Sequence, residues 1–102
     1  MSIDLERARR ETMRWYILVA LNAGRPNPVA EGIALTTLQA IPIQCTLIEL
    51  RRELDYLEAR GLVELHRMDI APWSAEVTRA GVDVVEYTVP VNPGIARPVK
   101  YY

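Results

Sequence analysis

Phenylalanine is absent from this chain of 102 residues, and cysteine, histidine and lysine occur once each. Without phenylalanine, Trp15, Trp73, the tyrosines and the Leu/Ile/Val set must supply the bulk of any core. One cysteine, Cys45, excludes an internal disulfide and a multi-thiolate zinc site. One histidine, His66, lies in a strand-like stretch with Glu64 and Glu76 near it in pattern, without the ligand spacing of a helical metal motif. No glycine-rich phosphate loop is present either. No metal, cofactor or catalytic group is therefore expected, and an enzyme is the least favoured class. No apolar run approaches the roughly 18 residues of a membrane span. Asp4, Glu6, Arg7, Arg9 and Arg10 stand where a signal peptide would need an apolar stretch. A cytoplasmic protein is the expectation.

Charge of one sign is lacking as well: the net charge is −1. Strong nucleic-acid binders display a basic face, because phosphate neutralisation dominates their affinity. The charge is unevenly spread, however. Residues 1–25 carry five arginines against three acids, whereas residues 44–69 carry four against six. Eleven of the twelve basic residues are arginine, the side chain suited to bidentate contacts with carboxylate, phosphate or guanine.

What remains is an ordinary globular composition, half apolar and a quarter charged, sufficient for one domain with one modest core. Leu5, Ala8, Trp15, Val19 and Ala23 recur at helical spacing, widened by Leu18 and Leu21, and predict a first helix over Asp4 to Ala23. Gly24, free to take a positive φ, and Pro26 then end it. Arg7, Arg10 and Arg14 share one side of that helix, either as a solvated face or as a strip facing phosphate or a partner. Residues 24–33 read as a loop and Ile33 to Leu35 as a short strand. Thr36 with Gln39 fits a capping box for a second helix, Thr37 to about Ile41, stopped by Pro42.

Thr46 and Glu49 repeat the capping box at the head of a third helix, with Cys45 and Leu50 placed as a hydrophobic staple. Leu47, Leu50, Leu54 and Leu57 form its inward row, and Gly61 ends it. Glu64 to Met68 and Trp73 to Val77 read as a strand pair with a loose tip at Ile70-Ala71-Pro72. Thr78 caps a last helix, about Arg79 to Glu86, weakened by Gly81 by about 1 kcal/mol relative to alanine. Pro90, Pro93 and Pro98 exclude helix from the tail, and its ending on Val99, Tyr101 and Tyr102 suggests that it docks on something.

Two short helices joined by a turn around Pro42 to Cys45, then a hairpin and a capped helix, make an α+β winged helix-turn-helix: a three-helix core, a β-hairpin wing and a short fourth helix. Residues 1–87 would be that domain and residues 88–102 a Pro-rich extended arm. The segments LRRELDYLEARGLVEL (Leu50 to Leu65) and AEVTRAG (Ala75 to Gly81) resemble the corresponding stretches of winged-helix regulators of the ArsR, MarR and PadR kind. The end of the chain, VDVVEYTVPVNPGIARP, is similar to small winged-helix proteins of Mu-like prophages.

The resemblance implies a bacterial or prophage transcription regulator, a homodimer on double-stranded DNA. Its third helix would enter a major groove and its wing would touch phosphate or minor groove. Carried over, the reading positions are Gln44, Thr46, Ile48, Arg51 and Arg52, with Arg67 on the wing and Arg7, Arg10 and Arg14 as a phosphate or partner strip. Gln44 and Arg52 suit base edges, and Ile48 suits a thymine methyl. Against this, Glu49, Glu53, Asp55 and Glu58 bring four negative charges to the same helix. The alternative is an interaction module that keeps the fold and docks protein through helix three, helix one or the C-terminal arm.

Overall fold

The computed structural model describes residues 3–67, 69 and 72–100. In chain order its elements are α1 (Leu5–Ala23), β1 (Val29–Ala30), α2 (Glu31–Ala40), α3 (Leu47–Ala59), β2 (Val63–His66), β3 (Ser74–Val77) and α4 (Arg79–Val85). The strands form one antiparallel sheet in the order β1-β3-β2, with Val63 opposite Val77, Leu65 opposite Ala75 and Val29 also opposite Ala75. This is the expected α+β winged helix.

Asp4 caps α1 by accepting the N–H of Arg7, one of the orphan donors of the first turn. The core side of α1 is Met13, Trp15, Ile17, Leu18 and Leu21, from the middle of the helix onward. Leu5 and Ala8, expected in the same stripe, are exposed; they border a shallow cleft with Pro42, Ile43 and Gln44 that does not cover them. Gly24 keeps a negative φ of −82° at the end of α1. What a side chain there would meet is the methyl of Val29, so close approach, not left-handed backbone, explains this glycine.

The second helix departs from expectation. It starts at Glu31, so Ile33 to Leu35 are helical, and the short first strand is Val29–Ala30 instead. Thr36 and Thr37 do not cap anything. Their hydroxyls donate back to the carbonyls of Gly32 and Ile33, four residues earlier in the same helix. Ala34 and Leu38 face inward, and Ile41 and Pro42 end the helix as foreseen.

The third helix follows the sequence closely. Thr46 accepts the N–H of Glu49, and the Glu49 carboxylate accepts the N–H of Thr46, which completes the capping box. Cys45 and Leu50 are both buried in the core. Leu50, Leu54 and Leu57 point inward, with Leu47 at the edge. At the far end Gly61 takes φ +73°; its N–H bonds to the Glu58 carbonyl, and that of Leu62 to the Leu57 carbonyl. This pair of bonds is a Schellman motif, with Leu62 and Leu57 sharing the core beneath it.

The wing strands are shorter than expected at both inner ends, and residues 68, 70 and 71 of the expected hairpin lie outside the described residues. Thr78 caps α4 by accepting the Gly81 N–H. The tail is not a free arm. Ile95 is buried in the core, Ala96 donates to the Glu11 carbonyl on α1, and Arg97 donates to the carbonyls of Val84 and Val89. Tyr101 and Tyr102 lie outside the described residues.

Candidate nucleic-acid interface

Turning the α3 sequence about a helix of 3.6 residues per turn, with the leucine row inward, leaves Ile48, Arg52, Asp55 and Ala59 on the opposite side. All four are exposed, Ile48 to 70%. Gln44 and Thr46, also exposed, precede the helix on the same turn. The flanks of α3 hold its glutamates, and Asp55 stays on the outer side.

On the α1 flank, Arg9 donates to the Glu49 carboxylate at 2.7 Å and to the Gln44 carbonyl. Hydrogen bonds from Arg9, then from the Thr46 main chain, hold the Glu49 carboxyl down to about 2. Deeper, Arg14 donates to Glu53 at 3.1 Å and to the Gly94 carbonyl at 2.9 Å, with its guanidinium over the Tyr56 ring. Glu53 is buried, and Arg14 is its counter-ion. A buried carboxylate without such a partner would protonate or destabilise the fold.

On the wing flank, Arg51 makes a fork to the Glu31 carboxylate through Nε and an Nη, both at 2.7 Å. Glu31 is buried at the start of α2, and the hydrogen bonds from Arg51 hold its carboxyl below the usual range despite desolvation. The same guanidinium lies over Trp73, whose ring also contacts the Arg67 guanidinium. Arg67 in turn donates to Asp55 and, at 2.8 Å, to Glu58. Glu58 also accepts the N–H of Leu65, and its carboxyl is lowered chiefly by Arg67. Two arginines and an indole thus join α2, α3 and the wing.

The expected site residues therefore separate. Ile48 and Arg52 share the outward side of α3, and Gln44 and Thr46 are exposed just ahead of it. Arg52 has no ion pair among the described residues, and shares a small cleft between α1 and α3 with Arg10. Arg51 and Arg67 lie beside that face, yet each is committed to carboxylates. On α1, Arg7 remains exposed and Arg10 half-exposed, in surface pairs with Glu11 and Glu6. Arg14 is turned inward, so the three-arginine strip does not exist as a surface. His66 meets Glu76 at 3.2 Å as an ordinary cross-strand pair. The Cys45 thiol is pushed up by burial first and by Glu49 second, which suits packing and not reactivity. No group of three or more potential metal ligands occurs among the described residues.

Sequence reasoning missed Glu31, Trp73 and Arg9, the three residues that consume or cover this charge. No local spacing relates Glu31 to Arg51; only the packing of α2 on α3 does. For Arg9 a signal existed, since Glu49 was already needed by the capping box and two arginines lay nearby.

No protein-family model matches the chain, and no curated protein matches it in sequence. Among solved structures, a point mutant of MepR from S. aureus is similar, with a TM-score of 0.59 and 20% identity. The likeness covers 72% of this chain and 51% of that one, so the chain spans about half the length of its structural neighbour. At that identity the likeness establishes the winged-helix fold. The similarity of the C-terminal segment to proteins of Mu-like prophages has no counterpart in these comparisons. No helix among the described residues is long and apolar enough to cross a membrane.

Proposed function

We propose that the chain is a DNA-binding winged-helix protein of bacterial or prophage origin, acting in the cytoplasm as a homodimeric transcription regulator. The observation that carries this reading is the outer face of α3, from which the glutamates are withdrawn and on which Asp55 is the one acid. Ile48 and Arg52 point away from the core with Gln44 and Thr46 beside them, while Glu49, Glu53 and Glu58 are each held by an arginine at the flanks. The likeness to MepR, a MarR-family winged-helix regulator, supports the same reading through its fold. Fold alone does not assign function, so the face must carry the claim.

Phosphate contact falls to Arg7 and Arg10, with Arg67 in exchange for its internal acids. Neutralising about three phosphates per protomer, about six per dimer, gives a slope near −5 in the logarithm of dimer affinity against that of salt. Anisotropy titrations with labelled duplex at several salt concentrations measure it. Salt-independent binding, or none, refutes the reading. Two protomers would present their third helices about 34 Å apart, one turn of DNA; sedimentation with a palindromic duplex reads out a two-to-one complex.

A second reading has its own observation. Ile33 and Ile48 are exposed to 62% and 70%, and between α2, α3 and Pro72 lies an apolar groove of about 610 Å³ lined by Ala30, Leu35 and Leu47. An apolar face with its arginines already paired suits a protein partner. The packed tail offers a further edge for such a partner. Loss of partner capture on Ile33→Asp, with DNA binding absent in the parent chain, would favour this reading.

A further inference from the structure

The exposed side of α3 is short of chemistry in a way that limits what it recognises. Resting on the DNA-binding reading, we propose that Ile48 and Arg52 read a thymine methyl and a guanine edge about two base pairs apart, and that these two contacts set sequence preference.

Arg52 is a donor-only fork with no carboxylate holding it among the described residues. Asp55, three residues on and the nearest acid on the same face, is engaged by Arg67. A donor-only fork pairs with two adjacent acceptors, and in the major groove only guanine presents that pair, O6 and N7. Adenine offers one acceptor beside a donor, which opposes the second N–H. Ile48 has no polar atom. Buried against a donor or acceptor it leaves that group unpaired, whereas the thymine C5-methyl asks for none.

Spacing follows from the helix. Four residues at 1.5 Å each carry the contact about 6 Å along the axis, just under two base-pair steps of about 3.4 Å. The extent of the element is also bounded. Asp55 lies about two turns beyond Ile48, and one beyond Arg52, on the same side, and a carboxylate there repels phosphate, so the C-terminal half of α3 stays clear of the groove. Arg51, which would otherwise extend the reading surface, is fixed on Glu31. The reading surface therefore spans only a few base pairs per protomer.

The test is selection of bound duplexes from a randomised library at about 100 mM salt, with wild type, Ile48→Ala and Arg52→Ala, followed by base-analogue titrations. Both side chains are exposed, so both variants should melt as wild type does. Wild type should select thymine and guanine one or two steps apart. Replacing that thymine by deoxyuridine, which lacks only the methyl, should weaken wild type severalfold and leave Ile48→Ala unaffected. Replacing the guanine by 7-deazaguanine should weaken wild type about tenfold and leave Arg52→Ala unaffected; Arg52→Lys should keep the salt slope but lose most of the guanine preference. Salt-sensitive binding with no selected bases, or a preference unchanged in the two alanine variants, overturns this inference while DNA binding stands. No duplex binding by wild type overturns both.

Discussion

Glu49 shows how much one side chain does at the head of α3. Its carboxylate accepts from the Thr46 main chain and hydroxyl and from Arg9, tying the helix start to α1. Its pKa in the fold is about 2, against an ordinary 4.5. A depressed carboxyl stabilises the fold at pH above its unfolded value, and that stability drains as pH falls from about 4.5 towards 2. Glu31 and Glu58, also depressed, steepen the same acid limb. Glu49→Gln should therefore cost about 1 kcal/mol at neutral pH, the side chain being a third exposed, and should flatten the loss of stability below pH 4.5. Urea midpoints at stepped pH measure both; an acid limb as steep as that of wild type would refute the assignment. Gly81 gives a sharper contrast between local and tertiary reasoning. Helix propensity alone makes Gly81→Ala stabilising by about 1 kcal/mol. A Cβ there would instead run into the Leu62 carbonyl and a Val77 methyl, so the substitution should destabilise, by about 1–3 kcal/mol in thermal melts.

Elements were legible where their signals are local and illegible where packing decides. The head of α3 was readable because Thr46, Glu49, Cys45 and Leu50 act within six residues. Its end was readable because Gly61 supplies a backbone conformation that other residues resist. Thr36 and Gln39 carry the same capping pattern, yet they sit inside α2, where threonine hydroxyls bond back along the helix. What starts α2 is Ala30 and Glu31 leaving the sheet, with Glu31 donating its N–H to the Trp73 carbonyl, and no residue pattern announces that. The end of α4 is a related case. Tyr87 takes φ +63° in the place a glycine fills after α3, and its neighbours complete the same hydrogen-bond pattern. Its ring sits edge-on to Trp15 and its hydroxyl donates to Pro98, contacts that hold a backbone state bulky residues avoid.

The site was half legible for the same reason. The outward positions of α3 follow from the leucine row, so Ile48 and Arg52 could be named in advance. Which arginines stay available depends on Glu31, Asp55 and Glu58 meeting them across elements, and spacing does not encode that. The Arg67 pairing with Asp55 leads to an expectation at this scale. Asp55 holds a wing cation that phosphate would otherwise take, and adds a negative charge to the reading face. Asp55→Asn should raise duplex affinity about threefold or more and steepen the salt slope by up to about one. Asp55 is half exposed, so stability should change by no more than about 0.5 kcal/mol. Anisotropy titration decides it: affinity equal to or below that of wild type would mean α3 does not face phosphate. Misfolding cannot mimic the expected gain.

At the scale of the whole molecule, the tail changes what the domain is. Proline-rich sequence correctly excluded helix from residues 88–100, but irregular chain is not loose chain. Gly94 packs against the Tyr56 hydroxyl, Ile95 enters the core, and the Arg14 guanidinium links the Gly94 carbonyl to the buried Glu53 of α3. The tail thereby braces α1 against the flank of α3 opposite the wing, and the pair Arg14–Glu53 has that brace as part of its surroundings. Ile95→Ala should cost about 2–4 kcal/mol, the range for truncating a fully buried aliphatic side chain. Val99→Ala, at a residue 72% exposed, should change stability by less than about 0.5 kcal/mol. Because the bonds seen to hold the described part of the tail join it to α1, α4 and its own residues, the Ile95→Ala loss should be the same at every protein concentration. A loss that shrinks as concentration rises would mean that the tail packs on a second copy, and denaturation of both variants across a hundredfold range of concentration distinguishes the two arrangements.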